Sequence, residues 1–110
     1  MINFQKMMQQ AQQMQFKIQE MQEKLAEIEV TGESGGGMVR VVMTCGGMVR
    51  SIKIDPSIIT PDDPDTLEDL VTAAVNNANA AKDERIKSET KKMMQELGLP
   101  EGAQLPGMMG

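Results

Sequence analysis

Hydrophobic positions in the first quarter of the chain recur at alternating intervals of three and four. Phe4, Met7, Ala11, Met14, Ile18, Met21, Leu25 and Ile28 fall on one line, the seam of a heptad repeat. Gln, Lys and Glu fill most positions between them, and all are good helix formers. The spacing predicts a helix over about 3–28, roughly 37 Å long at 1.5 Å per residue. So long and narrow a stripe is hard to bury on a small monomer. The residues from Phe4 to Leu25 are therefore expected to form a dimer seam against a partner helix. Met7, Met14 and Met21 make that seam adaptable rather than strongly register-fixing. Phe16, at an outer position, is expected either to pack on a sheet or to be exposed.

Near Ile28 the period changes to two, which predicts strands over about 28–33, 38–45 and 48–55. Gly46-Gly47 reads as a two-residue hairpin turn. It would set Cys45 opposite Met48, Met43 opposite Arg50, Val41 opposite Ile52 and Val39 opposite Ile54. A four-residue turn over 34–37 would set Val30 opposite Val41 and Ile28 opposite Met43. This register gathers Ile28, Val30, Val39, Val41, Met43, Ile52 and Ile54 on one face, and a one-residue slip would exchange the faces. A three-stranded antiparallel meander follows, ended by Asp55-Pro56.

A further helical stripe covers about 65–97. Its start has two candidates: Asp65 with Glu68 as a capping pair, or Asp63 followed by Pro64. Leu67, Val71, Ala74 and Ala78, joined by Leu70 and Val75, form the first apolar face. The next set is Ile86, Thr90, Met93 and Leu97, slipped by one residue, or about 100° around the axis. No Gly or Pro marks a break there. Either one helix faces two different neighbours, or two helices meet at a kink between Asn79 and Arg85. Gly98, with Pro100 after it, stops the helix. The pattern is α+β: one domain over 1–98, then a flexible Gly/Pro-rich tail over 99–110.

Composition narrows the chemistry. The 110 residues include no His, Trp or Tyr, and one Cys. The commonest general base and zinc ligand is therefore absent, and no internal disulfide can form. Ser34, Ser51, Ser57 and Ser88 have no His to activate them. Cys45, at a predicted strand end, reads as a small packing residue. Gly35 to Gly37 lack the Lys-Ser/Thr of a phosphate loop and precede a strand. These absences argue against an enzyme, and no catalytic residue, metal, cofactor or small-molecule substrate is expected. No run of 18 apolar residues suggests a membrane partner, and the Gln-rich start does not read as a signal peptide. A cytoplasmic setting is expected.

The net charge of −5 is concentrated. Asp62, Asp63, Asp65, Glu68 and Asp69 account for all of it, at a helix start where the macrodipole favours negative charge. The rest of the chain is neutral overall. Single-strand binding by base stacking would need exposed aromatics, and the chain has two. Phosphate contact needs only positioned cations. Lys6, Lys17 and Lys24 on the first helix, and Lys82, Arg85, Lys87, Lys91 and Lys92 on the last, could supply them. Asp83 with Lys87 and Lys92 with Glu96 are, however, ordinary i,i+4 neighbours of a solvated helix. Residue chemistry alone favours a dimerising interaction module over a DNA binder.

The succession MMQQAQQMQ…MQEKL, VTGESGGGMVRV, SIKIDPSII, DTLEDLVTAAVNNA and KMMQELGLPEGAQLPGMMG resembles the YbaB/EbfC family of bacterial nucleoid-associated DNA-binding proteins. The resemblance covers essentially the whole chain. It implies a tweezer-like homodimer whose helices project as arms against duplex DNA, a nucleoid-associated location in the cytoplasm and no enzymatic activity. On that reading, charge and position nominate Lys17, Lys24, Arg85, Lys87, Lys91 and Lys92 for phosphate contact. The alternative is a non-enzymatic module that clasps another protein with Met-rich helical arms.

Overall fold

A computed structural model describes residues 3–98. The tail over 99–110 lies outside the described residues. The order is α1 (Phe4–Leu25), β1 (Glu29–Ser34), β2 (Val39–Thr44), β3 (Val49–Ile54) and α2 (Pro64–Glu96), with single 3-10 turns at Gly35–Gly37 and Pro56–Ile58. The chain is elongated, 74 Å by 21 Å by 17 Å.

Helix α1 starts where the Asn3 side chain accepts a hydrogen bond from the Lys6 amide, and it turns at Ala26 into β1. For α2, the Asp63 start prevails: its carboxylate accepts from the Thr66 amide at 3.2 Å and the Thr66 hydroxyl at 2.6 Å. Pro64 then occupies the first turn, where its missing N–H costs nothing. The phase slip proves to be one helix with two neighbours. Leu70, Val71, Ala74, Val75 and Ala78 pack on the sheet, whereas Ile86, Met93, Met94 and Leu97 pack with α1.

The sheet is an antiparallel meander with β2 in the centre. Its predicted faces hold, but two registers differ. Three successive glycines at positive φ make the first turn, so Ser34 stays extended and pairs with Val39. The Ser34 hydroxyl donates to the Leu70 carbonyl, which holds it there. Val30 thus lies opposite Met43 rather than Val41, a shift of two that leaves every side chain on its expected face. Between β2 and β3, Val39 faces Ile54 and Val41 faces Ile52 as expected. Beyond them Met43 faces Val49, not Arg50, because β3 bulges by one residue. The bulge keeps Arg50 off the apolar face. Cys45 does not pair with Met48; its amide donates to the Ile28 carbonyl instead, and the turn runs through Gly46 and Gly47.

Where α2 crosses β1, Gly32 faces it with no side chain. A methyl group there would fall on the Ala74 and Ala78 backbone, with the Ala78 Cα 2.6 Å away. Val39, Val41, Ala74 and Ala78 are fully buried around this crossing. The Asn77 amide donates to the Glu33 carbonyl at 2.7 Å beside it. Cys45 joins the second core with Met21, Leu25, Met93 and Met94, so it is a packing residue. Burial pushes its thiol pKa up, which keeps the thiol protonated.

Candidate nucleic-acid interface

The predicted seam on α1 divides. Met21 and Leu25 are buried against the chain's own α2, with Met14 and Ile18 beside them. The partner helix for this half lies in the same chain. Phe4 and Met7 stay exposed, Phe4 at 75%, together with Met8 and Phe16. Ala11 is exposed as well.

This packing brings together cations far apart in sequence. Glu89 lies in the apolar stripe of α2, three residues after Ile86 and four before Met93, and is 4% exposed. Its Oε2 accepts from the Lys24 Nζ of α1 at 3.1 Å. Its Oε1 accepts from the Arg85 Nε at 3.2 Å and lies 3.9 Å from the Lys92 Nζ. The Lys24 hydrogen bond first, and Arg85 with it, hold the Glu89 carboxyl below the usual carboxylate range against the opposing effect of burial. Lys24 and Lys92 pack their stems at the surface and leave about two thirds of each side chain in water.

A groove of about 330 Å³ opens beside the cluster, lined by Lys17, Lys24 and Lys92 and equally by Glu20, Glu89 and Glu96. Lys17 also lies 3.7 Å from Glu20. Lys87 and Lys91 are each two positions from Glu89, about 200° around the helix. The structure thus gathers Lys24, Arg85 and Lys92, sets Lys17 beside them, and puts Lys87 and Lys91 on the opposite side of α2. Lys82 pairs with Asp83 at 3.7 Å.

Sequence reading missed Glu89 and Gly32. A carboxylate in phase with Ile86 and Met93 was the available signal for the first. A glycine inside a strand, which marks a close backbone approach, was the signal for the second.

Other apolar side chains remain uncovered. Helix α2 covers β1 and β2, so Val49 and Ile52 of β3 are more than 40% exposed, although they share the face it packs on. Met48 and Ile59 are exposed as well. No helix of the described residues is long and apolar enough to cross a membrane.

Residues 1–97 match the YbaB/EbfC DNA-binding family. A nucleoid-associated protein of Rhodospirillum rubrum is 43% identical over 106 residues, which cover 96% of this chain and 99% of that protein. The crystal structure of an uncharacterized protein from Helicobacter pylori superposes with a TM-score of 0.72 at 24% identity. That likeness covers 86% of this chain and 99% of the other, and it shows a shared fold.

Proposed function

The chain belongs to the YbaB/EbfC DNA-binding family and is a DNA-binding protein rather than an enzyme, and from that premise we propose that it works as a nucleoid-associated homodimer. The helices of the dimer, projecting like the arms of tweezers, hold duplex DNA through phosphate contacts with low sequence specificity, and so affect nucleoid organisation or gene expression. The observation that carries this reading is the patch of Lys24, Arg85 and Lys92, drawn from two helices to one place. Lys17 extends the patch along the groove, and Lys87 with Lys91 offers phosphate contacts on the other side of α2. Cations set this way neutralise backbone charge without reading bases.

A second copy accounts for the uncovered apolar side chains. The stripe of Phe4, Met7 and Ala11, or Val49 with Ile52 on β3, offers a surface for a two-fold dimer. Dimerisation would turn one weak contact into two linked ones. Exposed Phe4, Met7 and Met8 also favour the alternative, a module that clasps another protein.

Salt distinguishes the two readings. Binding of a fluorescently labelled duplex of about 30 base pairs should weaken steeply as salt rises and should match on an unrelated duplex. No binding at low salt would sink the DNA reading and leave the protein-clasping one. Light scattering gives the mass; a monomer at micromolar concentration would remove the homodimer.

A further inference from the structure

A buried carboxylate under a DNA-contact surface is unexpected on charge alone, because it repels phosphate. We propose that Glu89 is the positioning residue of that surface, acting through Lys24, Arg85 and Lys92 to hold them as one patch for the phosphodiester backbone. The inference rests on the DNA-binding reading above and names what organises its site.

Three observations carry it. First, the charges are layered: Glu89 is 4% exposed, whereas Lys24, Arg85 and Lys92 are 61%, 47% and 65% exposed. An anion arriving from solvent at this cluster meets the three cations before Glu89, while Glu20 and Glu96 line the groove beside it. Three cations around Glu89 leave that four-residue cluster at +2, although Lys17, Lys24 and Lys92 balance Glu20, Glu89 and Glu96 along the groove lining. Second, Glu89 uses both oxygens, one toward α1 and one along α2. It is therefore a tie between two helices, and half of their other contacts here are flexible Met side chains. Third, Arg85 donates to Glu89 through Nε, and among the described residues neither terminal nitrogen makes a hydrogen bond, so both can turn to a phosphate. Long cationic side chains lose rotamer freedom when they bind, and a carboxylate that already orders them removes part of that loss.

Field and position predict opposite signs for one substitution. Glu89→Gln keeps the shape and makes the protein more positive by one charge, so a pure field effect would tighten DNA binding. Positioning predicts the reverse: affinity about fivefold or more weaker at about 100 mM salt, with a log-log salt slope shallower by about one phosphate. The variant should fold, because its three former partners remain in water and no buried charge is left unpaired. Equal or tighter binding, or weaker binding at an unchanged slope, overturns the proposal. Glu89→Asp keeps the charge and shortens the reach, and covers a loss of helix signal in Glu89→Gln. It too should weaken binding and flatten the slope; wild-type behaviour would overturn the proposal. If the unsubstituted protein binds no duplex, the DNA-binding reading itself fails, which is a separate result.

Discussion

The two halves of α2 are joined without a break, yet they are held by opposite means. Over Leu70–Ala78 the helix comes down on β1 until backbone nearly meets backbone, with Gly32 beneath Ala74 and Ala78. Position there is set by the absence of side chains, and the crossing has one solution. Over Ile86–Leu97 the contact with α1 is made by Met21, Met93 and Met94 together with Leu25, Ile18, Ile86 and Leu97, and by the Glu89 tie. Methionine repacks at little cost, and the proposed role of the polar tie is to hold one arrangement. The lesson is a division of labour: a stiff crossing fixes the platform, and an adaptable one carries the charged surface.

Adding bulk to the stiff crossing tests the comparison most severely. Gly32→Ala drives a methyl group onto backbone that cannot step aside, so it should cost about 3 kcal/mol or more, at or above the usual range for overpacking. A melt near that of the wild type would mean the crossing is loose. Met93→Ala in the adaptable half should cost about 2–3 kcal/mol, at the low end for a buried methionine, because its neighbours can partly refill the space. A larger loss than Gly32→Ala would reverse the contrast. Removing the α2 cap with Asp63→Ala should lower the denaturant midpoint by less than Met93→Ala does and leave the salt slope of DNA binding unchanged.

Acid provides the finest test. Glu89 is held below its ordinary pKa of 4.5 in the folded state. Its contribution is therefore fully present above pH 4.5 and is lost as pH falls through the depressed folded value. The lowered carboxyls of Asp55 and Asp63 act in the same sense, but both remain in Glu89→Gln. Any extra stability of the wild type over that variant should shrink below pH 4.5, and a constant difference down to the lowest pH would deny the ion pairs a role. At the smallest end, Met7→Ala should leave monomer stability within about 0.5 kcal/mol, since Met7 is exposed.

Periodicity reached the elements and their faces because it follows from local geometry. The seam from Phe4 to Leu25, the alternation from Val39 to Ile54 and the slipped stripe of α2 each carry their period in the chain. Registers were harder. Whether Ser34 belongs to the turn or to β1 depends on its bond to Leu70, 36 residues away. The extra residue in β3 keeps Arg50 from the apolar face, and a symmetric reading of Gly46-Gly47 passes over it. The cation patch was least accessible, because on a single wheel Lys24 has no relation to Arg85 and Lys92. Only the packing of α1 on α2 places them around one carboxylate, and Glu89 had to be buried before it could gather them.

The charges of α2 are unevenly spread: its start holds Asp63, Asp65, Glu68 and Asp69 with no cation, whereas residues 85–96 hold Arg85, Lys87, Lys91 and Lys92 against Glu89 and Glu96. On a helix about 50 Å long, this imbalance amounts to a permanent electric dipole along the molecular axis. A polyanion would exert a torque on it before any contact, turning the basic end inward and the acidic end away. Encounters would then arrive already aligned with the arms foremost, and that alignment would fade as added ions shorten the range of the field.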